Sequence, residues 1–162
     1  MILATSSIIA QRKITPTEFF TINGKIKIEQ VFDLAQLDRF PKIQIDNQII
    51  YNHKGEVKDT LKNIKGVLLT TVLSKIEFIY EKPKNLNEFY FVCVASDGYK
   101  AVFSWNEIYN SEIGNHWYVI TEMGGTSIKQ LSQRIQVIST ADLKSGRRYI
   151  KGLQRIEVNQ AK

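Results

Sequence analysis

The charged side chains best placed to do chemistry form a short basic run near the C-terminus. Its cations are Lys144, Arg147, Arg148 and Lys151, and Gly146 lies among them. Arginine presents paired N–H donors to a phosphate or carboxylate, and a glycine lets the backbone approach an anion closely. The run therefore predicts a site for a small anionic ligand, with Lys144, Arg147 and Arg148 as binding residues. The alternative is a solvated surface loop.

A second group of candidate residues surrounds a predicted tight turn. Asp97 and Tyr99 flank Gly98 in the sequence Ser-Asp-Gly-Tyr. One interpretation places both side chains at the rim of a ligand cleft, where they join the binding residues. The other is structural: the Asp97 carboxylate accepts hydrogen bonds from the turn's own N–H groups, and the Tyr99 ring packs.

The remaining reactive residue types predict neither catalysis nor a metal site. The two histidines, His53 and His116, have no carboxylate or thiol beside them at metal-ligand spacing. The single cysteine, Cys93, lies within an apolar run, which predicts an inert buried thiol. The sequence contains no nucleophile elbow, dinucleotide-binding fingerprint or phosphate-binding loop.

Composition favours a soluble globular protein with a basic surface. Hydrophobic residues make up 43% and charged residues 23% of the 162 residues, with a net charge of +6. The cations are spread thinly and are not interleaved with aromatics, so we expect no nucleic-acid partner. No stretch is apolar enough to span a bilayer.

The first residues form a separate segment in our prediction. The opening sequence MILATSSIIAQ is apolar, and it resembles the end of a secretory signal with Ala10 at the cleavage position. A basic n-region is missing. We therefore interpret residues 1–18 as a signal-peptide remnant or a disordered leader. An exported, periplasmic location is expected, with a cytoplasmic one as the alternative, and residues 19–162 are predicted to form a single domain.

The candidate residues depend on one hairpin for their positions. Phe89–Ala95 is too continuously apolar to be half exposed, so it predicts a buried strand. The Asp-Gly turn should lead into a returning strand over residues 99–104. Ser104, followed three residues later by Glu107, has the spacing of a helix capping box.

Other patterns predict an α+β fold with a mixed sheet and a few short helices. Asp33 is a plausible N-cap for a helix that Pro41 ends. The remaining assignments are strands over residues 19–27, with an Asn-Gly turn, and over 42–51, Trp117–Met123, 134–139 and 154–158; helices over 30–40, from Gly66 onward and over 104–111; loops over 52–58 and 82–87; and a helical turn over 149–153.

The order of these blocks resembles the sulfite-oxidase-type molybdopterin-binding domains, in particular their short stand-alone members. The likeness covers residues 21–158. It rests on Ile22-Asn23-Gly24, Phe32-Asp33-Leu34-Ala35-Gln36-Leu37 with Phe40-Pro41, Gly66-Val67-Leu68-Leu69, Ala95-Ser96-Asp97-Gly98-Tyr99, Phe103-Ser104-Trp105-Asn106-Glu107-Ile108 and the terminal block over residues 142–158.

The resemblance implies a sulfite oxidase middle-domain-like fold, and it also exposes a departure. Catalytic members hold molybdenum through a cysteine thiolate in the loop after the strand that matches residues 43–51. Here that loop reads Tyr-Asn-His-Lys-Gly-Glu over residues 51–56, without a cysteine. Imidazole or amine groups are poor substitutes for a thiolate. The terminal block also lacks the family's usual Gly-Pro and Val-Val-Pro.

Two functional hypotheses follow. The first is a non-catalytic module that binds a small anionic ligand or a protein partner and carries no cofactor. The second is a molybdopterin-dependent oxidoreductase that holds its cofactor through the terminal basic loop, without the cysteine ligand.

Overall fold

Short strands dominate the part of the chain that the structure, a computed structural model, describes, which is residues 13–162. The strands are β1 (Phe19–Gly24), β2 (Gln30–Asp33), β3 (Ile43–Ile45), β4 (Gln48–Tyr51), β5 (Val57–Leu61), β6 (Ile64–Leu68), β7 (Phe89–Ala95), β8 (Lys100–Ser104), β9 (Trp117–Met123), β10 (Thr126–Ser127), β11 (Gln136–Ser139), β12 (Ile150–Lys151) and β13 (Leu153–Gln160). The helices are α1 (Leu34–Asp38), α2 (Leu69–Leu73) and α3 (Trp105–Tyr109), with 3₁₀ turns at Pro83–Glu88, Glu112–His116 and Ser145–Arg147.

One sheet contains five strands in the order β2-β1-β13-β7-β8. Strand β1 runs parallel to β13, with Thr21 opposite Arg155, whereas the other pairs are antiparallel. The parallel pair makes the sheet mixed, and the helices are short. The α+β prediction is confirmed in these features.

The second sheet follows the order β12-β11-β9-β6-β3, with β10 beside β9, and all its pairs are antiparallel. Because successive side chains on a strand point to opposite faces, this sheet contributes to two cores. Val119 packs in a large core shared with the five-stranded sheet, whereas Tyr118 and Ile120 pack in a smaller core. The β4–β5 hairpin covers that smaller core with Ile50 and Leu61.

The hairpin around the Asp-Gly turn matches the sequence prediction. Strand β7 has the predicted bounds, and its side chains at Phe91 and Cys93 are fully buried. At the start of α3, the Ser104 side chain accepts a hydrogen bond from the Glu107 N–H, and the Glu107 carboxylate accepts one from the Ser104 N–H. The capping box is therefore confirmed.

The helix predicted over residues 30–40 is wrong in its first part. Residues Gln30–Asp33 form β2 on the edge of the five-stranded sheet, where Phe32 lies opposite Phe20 with ring centroids 5.5 Å apart. Burial of Phe32 against a neighbouring strand outweighs the local helical pattern. The helix begins at Leu34, with Asp33 as its N-cap as predicted. The strand that returns after β1 is β2, and not the residues that follow the Asn-Gly turn within the predicted range 19–27.

Three further segments differ from prediction. The run from Gly66 begins as β6, where a Cβ at Gly66 would lie 2.9 Å from the Val119 carbonyl oxygen, and only Leu69–Leu73 is helical. Residues 42–51 contain two strands in different sheets, and the segment over 149–153 holds β12 and the start of β13 in place of a helical turn. In each case pairing with a distant strand decides the conformation.

The chain before β1 contacts the body of the protein. Thr15 exchanges two hydrogen bonds with the Ser96 hydroxyl, at 2.9 and 2.8 Å, and Glu18 forms an ion pair with Arg134. Residues 1–12, which make up most of the predicted leader, lie outside the described residues. Among residues 13–162, none of the helices has the length and apolar character needed to cross a membrane.

Candidate functional site

A cleft of about 540 Å³ opens where three separate segments meet. We call it the basic cleft and define it by its charged and aromatic lining residues. These are Tyr51, His53, Lys58 and Asp59 from the β4–β5 hairpin; Asp97 and Tyr99 from the β7–β8 turn; and Arg147, Tyr149 and Lys151 from the terminal block. Three basic side chains and two carboxylates thus line a space large enough for a small molecule.

The terminal block, residues 142–158, is held against the β4–β5 hairpin by close backbone packing. The Ser145 hydroxyl donates a 2.7 Å hydrogen bond to the Ile49 carbonyl oxygen. A Cβ on Gly146 would lie only 2.2 Å from the Tyr51 carbonyl oxygen, so no other residue fits there without movement. Gly146 therefore serves the packing of two backbone segments, rather than the backbone's approach to an anion that the sequence suggested.

The β7–β8 turn contributes a rim residue whose hydroxyl is already engaged. Gly98 has a φ of +84°, which glycine adopts readily. The Tyr99 N–H donates to an Asp97 carboxylate oxygen at 2.9 Å, and the Tyr99 hydroxyl donates to the Arg147 carbonyl oxygen at 2.5 Å. Asp97 and Tyr99 thus stabilise the turn and also line the cleft, and their role in ligand binding stays a prediction.

The structure separates the two adjacent arginines. Arg147 is exposed and lines the cleft. Arg148 turns away and donates to Asp142 through Nε at 2.8 Å and to Glu107 through an Nη atom at 2.9 Å. Its guanidinium carbon also lies 4.3 Å from the centre of the Phe103 ring. The expectation that Arg148 binds an anionic ligand does not fit this geometry, because two protein carboxylates already occupy its donors.

These contacts shift the pKa of the groups around Arg148. Hydrogen bonds to Asp142 and Glu107 raise the pKa of Arg148, although burial acts in the opposite direction. Burial raises the pKa of Glu107, but hydrogen bonds from Ser104 and Arg148 outweigh it and leave the pKa below its usual value. Both shifts favour the charged forms of Arg148 and Glu107, and this ion pair joins the terminal block to α3.

Lys144 and Lys151, the outer members of the predicted run, also differ in their exposure and in their position relative to the cleft. Lys144 is exposed and does not line the cleft. Lys151 is half-buried in the cleft wall, with its Nζ 4.9 Å from the centre of the Tyr149 ring. Burial lowers the pKa of Lys151 and Lys58 acts in the same direction, whereas Asp59 opposes them.

Sequence reasoning missed the contribution of the β4–β5 hairpin to the cleft. It assigned residues 52–58 to a polar loop and gave Lys58 no role, but β5 begins at Val57 and brings Lys58 to the cleft. His53 was noted as one of the two histidines, in the loop where the resemblance places the cysteine of catalytic members. That loop does line the cleft, so the position of the family motif was the available signal.

Residues 13–162 contain no cluster of three or more His, Cys, Asp or Glu side chains arranged to hold a metal ion. Cys93 is fully buried in β7, and burial raises the pKa of its thiol, so it is not available as a thiolate ligand to the cleft. His116 lies apart from the cleft, with its Nδ1 3.2 Å from the Thr140 hydroxyl.

One comparison bears on the fold that the order of the sequence motifs predicted. Among solved structures, the chain is similar to the sulfane dehydrogenase SoxCD from Paracoccus pantotrophus, with a TM-score of 0.62 and 14% identity. The match covers 86% of this chain and 37% of the SoxCD chain, so it spans well under half of that protein's length. Identity this low shows the fold alone.

Comparisons of sequence add no relative. No family model matches the chain, and no curated protein matches it.

Proposed function

We propose that this chain is a non-catalytic module that binds a small anionic ligand in the basic cleft. The observation that supports the proposal is the convergence of Lys58, Arg147 and Lys151 on one cleft from segments far apart in sequence. Of these, Arg147 is exposed and forms no ion pair with another residue in the described part of the chain. Its guanidinium is therefore available for paired hydrogen bonds to a carboxylate or phosphate.

The aromatic lining indicates what else the ligand carries. Tyr51, Tyr99 and Tyr149 line the same cleft as the cations. Tyrosine rings offer flat apolar surface, and ligand sites commonly combine such surface with a few polar groups that fix orientation. A small anion with a flat or apolar part suits this lining better than a bare inorganic ion. An acidic side chain presented by a protein partner is the alternative ligand with the same chemistry.

Calorimetric titration with inorganic phosphate and with a nucleoside monophosphate tests the proposal. Charge-assisted hydrogen bonds contribute about 1.5–3 kcal/mol, so Arg147→Ala should weaken binding about tenfold to a hundredfold. Lys144→Ala is the matched control, because it removes an exposed cation three residues away that does not line the cleft. Equal effects of the two substitutions, or no saturable binding by the unmodified protein, would contradict the proposal.

A molybdopterin cofactor fits the cleft only in part. Lys58, Arg147 and Lys151 could hold its phosphate. The metal of the family's cofactor is held by a thiolate, and the cleft offers an imidazole at His53, amines and carboxylates instead. The donor set therefore does not match the metal, and we derive no reaction step through it.

A molybdopterin-dependent oxidoreductase remains the second candidate because the fold is similar to that of a sulfane dehydrogenase. Elemental analysis and absorbance spectra of protein expressed in a host that makes the cofactor test it. Near-stoichiometric molybdenum would favour this candidate over the first. Folded protein that carries neither metal nor pterin would argue against it.

A further inference from the structure

We propose that the ε-amino group of Lys151 forms a reversible imine with small carbonyl-bearing anions, such as 2-oxo acids, that bind in the basic cleft. This inference rests on the proposed function and names a substrate class for the same site. It assigns a covalent role to a residue that the anion-binding proposal uses only as a charge.

The position of Lys151 is fixed by its neighbours. It lies on β12, and the next residue, Gly152, has a φ of +66° and packs so closely that a Cβ there would lie 2.8 Å from the Thr15 carbonyl oxygen. The Nζ atom lies over the Tyr149 ring at 4.9 Å. Lys151 forms no salt bridge with any residue in the range 13–162. A half-buried amine that faces a cleft without a paired carboxylate is accessible to a bound ligand.

The charges around this amine favour its reactive form on balance. Imine formation needs the unprotonated amine, and partial burial together with a nearby cation favours that form. Lys58 on β5 supplies the cation, whereas Asp59 opposes it; the net direction is a lowered pKa of Lys151. The other charged or titratable groups that line the cleft are His53, Asp97, Arg147 and the three tyrosines Tyr51, Tyr99 and Tyr149.

The same cleft can hold the ligand's carboxylate. Arg147 lies four residues before Lys151 and lines the cleft with it. A guanidinium that binds a carboxylate through two hydrogen bonds would place the adjacent carbonyl carbon close to the amine. The substrate class follows from this pair: a carbonyl next to, or one or two atoms away from, an anionic group.

The chemistry balances without a further reactant. The nitrogen lone pair attacks the carbonyl carbon, a C–N bond forms, and the carbonyl π electrons move to oxygen. The nitrogen then loses its protons, the oxygen leaves as water, and a C=N bond remains. Water added to that bond restores the amine and the carbonyl compound, so the step is reversible.

Reductive trapping tests the proposal on the whole chain. The protein is incubated with pyruvate and cyanoborohydride, which supplies hydride to an imine, and labelled lysines are identified by peptide mass spectrometry. Lys151 should be labelled about tenfold faster than exposed Lys144, because the cleft holds the bound ligand's carbonyl beside the Lys151 amine. Arg147→Ala should slow labelling of Lys151 about tenfold without affecting Lys144. Even labelling of surface lysines, with Lys151 no faster than Lys144, would overturn the proposal.

A second variant separates this proposal from the anion-binding one. Lys151→Arg keeps the positive charge but removes the amine, so it should lose the fast label, whereas the unmodified protein should both bind phosphate and take the label. The melting temperature of Lys151→Arg provides the folding control. Phosphate binding without selective labelling would overturn the imine proposal and leave the anion-binding proposal in place. Selective labelling without phosphate binding would overturn the anion-binding proposal, and with it the assignment of an anionic substrate class to the reactive amine.

Discussion

The two adjacent arginines should respond to mutation in opposite ways. Arg148→Ala removes the guanidinium that pairs with both Asp142 and Glu107 and lies over Phe103. Arg147→Ala removes an exposed guanidinium that lines the basic cleft. We therefore expect Arg148→Ala to lower stability and Arg147→Ala to lower anion affinity.

The size of the stability loss follows from burial. The Arg148 side chain is 20% exposed, that of Asp142 10% and that of Glu107 35%. Removing one partner of a buried ion pair costs about 3–5 kcal/mol, whereas exposed pairs contribute about 0–1 kcal/mol. Because Asp142 is nearly buried and Glu107 is partly exposed, we expect a loss of about 3 kcal/mol. Arg147→Ala should change the free energy of unfolding by less than about 0.5 kcal/mol, as is usual for exposed sites.

Thermal and urea unfolding of the two variants measure this difference. A loss of about 3 kcal/mol should lower the melting temperature by about 6–12 °C in a chain of this length. Arg148→Lys should recover part of the loss. A lysine amine can pair with one carboxylate, but it cannot donate to Asp142 and Glu107 at once as the planar guanidinium does. Equal melting temperatures for Arg147→Ala and Arg148→Ala would refute the assignment of Arg148 to a structural network.

Three further predictions concern pH, backbone packing and thiol reactivity. The pKa of Glu107 is lowered in the folded state, so its contribution to stability is present above the unfolded value of about 4.3 and is lost as the pH falls through the folded value. Urea unfolding between pH 3 and 6 should show this decline, and it should be weaker in Arg148→Ala. Gly146→Ala should cost about 2–3 kcal/mol and weaken phosphate binding, because its Cβ would force the Tyr51 carbonyl away. Gly124→Ala, where a Cβ meets open space but φ is +59°, should cost only about 1 kcal/mol and leave phosphate binding unchanged. The Cys93 thiol should resist alkylation in the folded protein and react readily in urea; fast reaction without denaturant would show that β7 is not buried as described.

Local patterns predicted the fold best where a segment's own residues decide its conformation. Phe89–Ala95 is continuously apolar, and the Asp-Gly turn and the Ser104 capping box act over a few residues. Residues 30–33 show the opposite case, because their strand depends on pairing with β1, which no local pattern reports. The split of residues 42–51 between two sheets has the same cause.

The sequence identified some of the residues that line the cleft and missed others, for similar reasons. The turn residues Asp97 and Tyr99 and the basic residue Arg147 were identified from their types and spacing, and the structure places all three in one cleft. Arg148 was grouped with them because a sequence does not show that distant Glu107 lies beside it. Lys58 was missed because its strand reaches the cleft only through tertiary packing.

Nuclear magnetic resonance mapping of a phosphate titration tests the central claim most directly. The account predicts saturable shifts of the backbone amides at Tyr99, Arg147 and Lys151, which disappear in Arg147→Ala and persist in Lys144→Ala. Shifts spread over the basic surface without saturation, or shifts that are the same in both variants, would contradict the claim that the cleft is an anion-binding site.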